Sequence, residues 1–305
     1  MDNATPTLVP SLASRSRYII PFLIGCAVML ILLLVLAPSW GIVVILGIVE
    51  GLTEFLPISS TAHLLIVGDL LGFQNNIGGT FEIFIQIGAI LAVVAYYASD
   101  LLAQARSLLT SAPTRRFWLA LLLAFLPAAV VGLVLRSWIK QVLFASPSVI
   151  AWALILGGVV LIVIERLPKR AATAQDVEQV SFGQALAIGV AQMLALVPGV
   201  SRSGASMVGG ILGGLDRRTA TAFSFYLAIP TLGAATVVDL LGSLDQISGS
   251  DIGRLLLGAV VAGVVAWISI GWLLRYVAGH SFVAFGIYRI IVGALILALV
   301  AVGRL

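Results

Sequence analysis

The chain has 305 residues, of which 61% are hydrophobic and 10% charged. Soluble domains carry roughly 25% charged residues, so this composition excludes a soluble domain and points to an all-α integral membrane protein. The net charge of +4 is small and its basic residues sit at the ends of apolar stretches, which makes it a topology signal and argues against a nucleic-acid partner.

Apolar stretches run at about 18–36, 41–56, 81–98, 116–135, 149–165, 181–197, 204–214, 219–241, 255–274 and 283–303. The first follows Arg15 and Arg17 and resembles a signal peptide. It is long for one, however, and Ala37-Pro38-Ser39-Trp40 makes a poor cleavage site. The expectation is an uncleaved transmembrane helix, so residues 1–39 form an N-terminal extension and 40–305 the main membrane domain. The single cysteine, Cys26, lies in that extension and excludes an intramolecular disulfide.

Basic residues assign the sides. Arg106, Arg115 and Arg116, then Arg166, Lys169 and Arg170, then Arg217, Arg218 and Arg275 lie in loops that the positive-inside rule makes cytoplasmic. The opposite side holds Arg136, Lys140, Arg254 and Arg304 together with an acidic loop from Ser243 to Asp251. The assignment closes only if 41–70 and 181–214 each enter and leave the membrane on one side. Each has an apolar arm, a proline with hydroxyl residues and a second arm, the pattern of a re-entrant helical hairpin. Each is followed by three spans, and the hairpins start on opposite sides. The expected fold is an inverted-repeat bundle of six transmembrane helices with two re-entrant hairpins, plus the extra N-terminal helix. Weak internal echoes agree: Leu56-Pro57-Ile58-Ser59 against Val197-Pro198-Gly199-Val200-Ser201, and Val149-Ile-Ala-Trp against Val283-Ala-Phe-Gly. Broken helices in matching positions of two halves point to a midplane site between them.

The chemistry concentrates in the two breaks, because polar clusters in a membrane are expensive unless they face a partner, an ion or water. Glu50 and Glu54 share one helix face a turn apart, and two such carboxylates repel unless a cation neutralises them or one is protonated. A hard divalent cation, Mg²⁺ or Ca²⁺, answers this; the alternative is a carboxylate pair bonded to Ser or Arg side chains. Ser59, Ser60 and Thr61 follow Pro57, and hydroxyls with freed N–H groups near a helix start make an anion site. His63, three residues beyond Ser60, is placed as general base for that hydroxyl or for a water, against the bland reading of a structural histidine. In the second break, Arg202 stands between Ser201 and Ser203, and its planar fork suits a phosphate; an ion pair with one of the glutamates is the alternative. A cation site, a phosphate-binding arginine, a hydroxyl nucleophile and a base together fit metal-assisted phosphoryl transfer. Glu82 with Gln86, and Arg289 inside the last span, read as structural hydrogen-bonding groups that could support the site. Gly209/Gly213 and Gly210/Gly214 read as close helix packing.

Glu50-Gly-Leu-Thr-Glu54-Phe-Leu-Pro-Ile-Ser-Ser60-Thr-Ala-His63 and Leu196-Val-Pro-Gly-Val-Ser-Arg202-Ser-Gly-Ala resemble the two signature motifs of the bacterial undecaprenyl-diphosphatase family, the bacitracin-resistance lipid pyrophosphatases. The resemblance runs from about Trp40 to the C-terminus and includes Phe81-Glu82-Ile-Phe-Ile-Gln86 and Ile287-Tyr288-Arg289. It implies removal of the terminal phosphate from undecaprenyl pyrophosphate, recycling the lipid carrier for cell-wall synthesis. It also implies a multi-pass protein of the bacterial plasma membrane with a site open to the outer face. By the same resemblance Glu50 and Glu54 match the metal-associated acidic motif, Ser60 the nucleophile, His63 the catalytic histidine and Arg202 the phosphate-binding arginine, with Ser59, Thr61, Ser201 and Ser203 around the phosphate. Assembly into a homodimer is left open. Three features depart from the family pattern: the extra first helix, Ala62 where glycine is common, and Ala222 where many members carry glutamate. Two competing readings stand beside this one. A secondary transporter or lipid flippase would share the broken helices but release no phosphate. An acid-phosphatase-like lipid phosphatase would want a histidine six residues after Arg202, where this chain has Val208.

Overall fold

The computed structural model describes residues 35–73, 80–144, 146–168, 173–174, 176–242 and 249–305. The expected first span, with Arg15, Arg17 and Cys26, falls almost wholly outside the described residues. So do Lys169, Arg170 and most of the acidic loop, whose last residue, Asp251, instead belongs to the first turn of a helix.

The described chain is helical throughout, with a single isolated bridge between Ala174 and Leu215. In chain order the main helices are α1 (Pro38–Thr53), α2 (Ser60–Leu70), α3 (Thr80–Tyr96), α4 (Ala98–Ser107), α5 (Ala112–Val134), α6 (Pro147–Arg166), α7 (Phe182–Met193), α8 (Arg202–Leu212), α9 (Arg217–Leu241), α10 (Gly249–Gly279) and α11 (Val283–Ala301). Five of them, α5, α6, α9, α10 and α11, are long and apolar enough to cross a membrane. The pair α3–α4 makes a sixth candidate span, bent by 66° at Tyr97 where a single straight span at 81–98 was expected. The protein is thus an all-helical membrane protein with five or six candidate spans. By contrast α1 has 16 residues and α2 and α8 have 11 each. At ~1.5 Å per residue none of these reaches across a hydrocarbon core of ~30 Å.

Local sequence explains where the helices start. Ser111, Ser146 and Asp216 cap their helices, accepting hydrogen bonds from the backbone N–H groups of Thr114, Val149 and Thr219, the last at 2.7 Å. Ser181 and Gln184 form a reciprocal capping box at the start of α7. Glycine decides how the helices dock. A Cβ on Gly158 of α6 would meet the Gly286 carbonyl of α11 at 2.6 Å, and one on Gly286 would meet the Gly158 carbonyl at 2.7 Å. These two spans therefore touch backbone to backbone, as small residues in membrane helices allow. The short helices dock in the same way: α1 through Gly51 against the Ala262 carbonyl of α10, and α7 through Gly189 against the Ala124 carbonyl of α5. The glycine pairs of α8 divide. Gly209 packs on Ala191 and Gly210 on Ala220, as expected, but Gly213 caps the helix and Gly214 turns the chain at φ 88°, so neither of these is a packing glycine of the expected kind.

Candidate active site

Both breaks use the same backbone device. After Pro57 the chain turns through Ser59 at φ 71° and starts α2 at Ser60. After Pro198 it turns through Ser201 at φ 74° and starts α8 at Arg202. These serines are the only non-glycine residues at positive φ among the described residues. Such a conformation costs about 1–3 kcal/mol and persists only where the surroundings impose it.

The surroundings are visible. Arg289 of α11 is 1% exposed and donates to four backbone carbonyls: Pro57 (3.1 Å), Gly199 (2.9 Å), Ala153 (3.2 Å) and Leu154 (3.3 Å). One guanidinium therefore holds both tips and fastens them to α6, which gives the polar residue inside the last span a structural role. A second tie runs from the Ser201 hydroxyl to Ser203 (3.0 Å) and from Ser203 to the Leu56 carbonyl of the other tip (2.9 Å).

Between the tips the functional side chains meet. Ser60 Oγ donates to Glu54 Oε2 at 2.6 Å, and Arg202 Nη2 donates to Glu54 Oε1 at 3.3 Å. Glu54 continues the helical path of α1, its N–H bonding the Glu50 carbonyl, so the two carboxylates do sit a turn apart on one face. The other Arg202 nitrogen, Nη1, donates to the Ser224 carbonyl at 2.9 Å, and the guanidinium lies over the Phe55 ring at 5.8 Å. The alternative reading of Arg202 as an ion-pair partner of a glutamate thus describes the geometry here. Two buried polar atoms have no hydrogen-bond partner at this junction, Glu50 Oε1 and Arg202 Nε. Buried polar groups are nearly always satisfied, so an unpartnered acceptor and an unpartnered donor at the two facing tips mark a place for a ligand.

That place is a cavity of about 640 Å³. Glu50, Glu54, Ser59, Ser60, Thr61 and Arg202 form its polar floor, and Leu64, Leu65, Ile150, Leu196 and Leu232 stand among its apolar walls. Ser201 also faces it, as do Glu82 and Gln86, the latter accepting a hydrogen bond from Thr236 at 3.3 Å. Asp239 and Phe144 lie at the end where Arg136 pairs with Asp239 at 2.6 Å. A polar floor under an apolar wall suits an amphiphile with an anionic head.

His63 is arranged differently from the expectation. Its Nδ1 faces the Ser59 carbonyl at 2.7 Å and its Nε2 faces the Tyr288 hydroxyl at 2.7 Å, so both ring nitrogens are engaged and the Ser60 proton points to Glu54 instead. The reason is geometric: Ser60 opens α2, and its side chain is turned toward the end of α1. Among the described residues no group of three or more His, Cys, Asp or Glu side chains is clustered closely enough to hold a metal. Three contributors were given no role in the sequence reading: Ser224, which holds Arg202; Ser206, whose hydroxyl pairs with that of Ser224 at 2.6 Å; and Tyr288, quoted there only as part of the family resemblance. Their only signal was polarity inside an apolar span.

Comparison with known proteins bears on the same residues. The family described as "Bacitracin resistance protein BacA" matches residues 43–295. The chain is 48% identical over 270 residues to the undecaprenyl-diphosphatase of Deinococcus radiodurans, covering 88% of this chain and 97% of that protein. It is 49% identical over 258 residues to the undecaprenyl-diphosphatase of Methylobacillus flagellatus, covering 83% and 95%. Over 257 residues it is 48% identical to that of Albidiferax ferrireducens, covering 83% and 92%.

Proposed function

The chain belongs to the bacitracin resistance protein BacA family, and from that premise we propose that it is an undecaprenyl-diphosphatase, a hydrolase that converts undecaprenyl pyrophosphate to undecaprenyl phosphate and inorganic phosphate. The observation that carries this reading is the convergence of Ser60 and Arg202, from opposing hairpins, on the one carboxylate of Glu54 at the floor of an amphiphilic cavity.

The chemistry follows from those contacts. Ser60 Oγ attacks the terminal phosphorus and gives its proton to Glu54 Oε2, with which it already shares a hydrogen bond. The bond from phosphorus to the bridging oxygen breaks, and the electron pair leaves with the lipid monophosphate. That leaving group is a weak base and needs little acid assistance. Protonation of Glu54 removes the charge that held Arg202, so the guanidinium turns to the phosphoryl oxygens as their charge develops. Water then attacks the phosphoserine: its oxygen bonds phosphorus as the Ser60 Oγ–P bond breaks, Glu54 returns its proton to Ser60 Oγ, and the proton lost by the water leaves with the inorganic phosphate. Ser59, Thr61 and Ser201 supply hydroxyls around the anion; Ser203, also expected there, is instead fully buried and bonded to the Leu56 carbonyl, and His63 joins the working set through Ser59, whose carbonyl it holds.

A divalent cation, Mg²⁺ or Ca²⁺, belongs to this reading. Magnesium is commonly held by one or two carboxylates together with substrate phosphate oxygens, so a cluster of three protein ligands is not required. The unpartnered Glu50 Oε1 and the neighbouring Glu54 fit that donor set. When bound, the ion would neutralise pyrophosphate charge.

The finer architecture is part of the proposal. Residues 41–70 and 181–214 are read as re-entrant hairpins of two inverted repeats, supported by the paired positive-φ serines and by the docking of α1 on α10 and of α7 on α5. With the arginine-rich loops inside, the Arg136–Asp239 end of the cavity faces the outer side of a bacterial plasma membrane. Phosphate release from undecaprenyl pyrophosphate by the purified full chain, with and without EDTA, tests the reading. Release that stops in EDTA and resumes with Mg²⁺ or Ca²⁺ supports it. Absence of release under every condition sinks the hydrolase, and full activity in chelator sinks the metal.

A further inference from the structure

We propose that Tyr288 is a positioning residue for this reaction. Together with His63 it forms a brace that aims Ser60, and His63 acts through the Ser59 backbone, not as the base for the Ser60 hydroxyl. The proposal rests on the hydrolase reading above and deepens it.

The hydrogen-bond directions settle the roles. A carbonyl oxygen only accepts, so the 2.7 Å contact between His63 Nδ1 and the Ser59 carbonyl puts a proton on Nδ1. In the neutral ring Nε2 is then the acceptor, and the Tyr288 hydroxyl, 2.7 Å away, donates to it. The two rings lie nearly parallel, 4° apart with centroids at 5.5 Å, so stacking holds the imidazole in the plane that both bonds need. Tyr288 comes from α11 and reaches a residue 225 positions earlier in the chain. The next residue, Arg289, holds the Pro57 carbonyl of the same tip at 3.1 Å. One turn of α11 therefore grips the first tip on both sides of its break.

What the brace holds is the residue that most needs holding. Ser59 sits at φ 71° and ψ 98° and makes no capping hydrogen bond with its own side chain. Ser201, its counterpart at φ 74°, accepts the Gly204 N–H at 3.1 Å and so stabilises its own turn. The second tip has Ala205 where the first has His63, each three residues after the first residue of its helix, and it carries its own serine cap in place of a histidine. Ser59, Ser60 and Thr61 line the cavity, whereas His63 packs behind them against α11. A histidine in that place controls the direction of the Ser60 Oγ toward Glu54 by fixing the carbonyl that precedes it.

The experiment compares His63→Asn, His63→Ala and Tyr288→Phe in the full-length protein, reading kcat and KM for undecaprenyl pyrophosphate. The asparagine amide nitrogen stands where Nδ1 stands and can donate to the Ser59 carbonyl, but it cannot act as a base. For a positioning role, His63→Asn should stay within about tenfold of wild-type kcat, while His63→Ala falls further by an order of magnitude or more. Tyr288→Phe keeps the stacked ring and loses only the hydroxyl, so kcat should fall about five- to tenfold with KM little changed. ¹⁵N spectra of the histidines give a readout that general destabilisation would not move. The chain has only two, so His63→Asn assigns the signal. The Nδ1–H tautomer should appear in the wild type and lose its definition in Tyr288→Phe. The proposal is overturned if His63→Asn is as inactive as His63→Ala beside an active wild type, or if the wild type shows the Nε2–H tautomer. Should His63→Asn fail to fold, a Tyr288→Phe protein with wild-type kcat and an unchanged spectrum overturns it alone. An inactive wild type would instead sink the hydrolase reading.

Discussion

The tip around Ser59 and the tip around Ser201 follow the same backbone course and carry different chemistry. Each has a proline, a serine at positive φ and a helix that starts at the next residue. In that next position one tip presents the hydroxyl of Ser60 and the other the guanidinium of Arg202. The second tip is held by its own Ser201 cap and by Gly199, whose φ of 93° a side chain would strain. Arg289 holds both tips, through the Pro57 and Gly199 carbonyls; the first, which lacks a serine cap, adds His63, bonded in turn to Tyr288 of α11. On the function proposed above, the two tips divide labour: one would supply the reacting group and the other the charge that receives the phosphate.

The sharpest way to break this division is Ser60→Ala. If Ser60 is the nucleophile, kcat should fall by at least about 10³, Ser59→Ala should lose far less, and quenched turnover with labelled substrate should leave phosphate on Ser60 in the wild type. Substantial turnover by Ser60→Ala would move the attack to water and leave both tips with binding roles. Next in size is Glu54→Gln, expected to cut kcat about 10²–10⁴-fold if the carboxylate that accepts the Ser60 hydrogen bond also takes its proton. Activity near wild type would show that the shared carboxylate between the tips is only an ion-pair partner. For the receiving tip, Arg202→Lys should lose about 10²–10³ in kcat, nearly as much as Arg202→Ala, because lysine cannot bond phosphate, Glu54 and the Ser224 carbonyl from a planar fork. A lysine variant with wild-type kcat would reduce that tip to simple charge neutralisation. The smallest effect is expected at the cross-tie. Ser203→Ala removes the bond to the Leu56 carbonyl and should lower Tm by a few degrees, corresponding to about 1 kcal/mol, with kcat reduced only a few-fold. A loss as large as that of Arg202→Ala would place Ser203 in the chemistry itself.

Much of this was legible before any coordinates. Apolar stretches of span length gave the all-helical membrane class, because a bilayer demands length and satisfied backbone groups. Pro57 and Pro198 followed by hydroxyl residues announced both breaks. Glu50 and Glu54 four apart, with Arg202 in the second break, announced a charged site between them. Less legible was the bend at Tyr97, which no proline or glycine marks. The fates of Gly213 and Gly214 were equally hidden, since a spacing of four glycines does not say which ones end the helix.

By itself the sequence determined the class of protein, the family and the residues that carry charge and hydroxyls, since each rests on composition or on spacing within one or two turns. Tertiary structure alone decided which of those residues pair. His63 was near enough to Ser60 in sequence to suggest a base, yet its ring is bonded to a tyrosine 225 positions away, while the Ser60 hydroxyl went to Glu54. Arg202 met Glu54 across 148 positions, and Arg289 gathered carbonyls from α6 and both tips. The physical reason is that hydrogen bonding reads distance and direction. Here those are set by backbone contacts at Gly51, Gly158, Gly189 and Gly286, where helices far apart in the chain come within touching range.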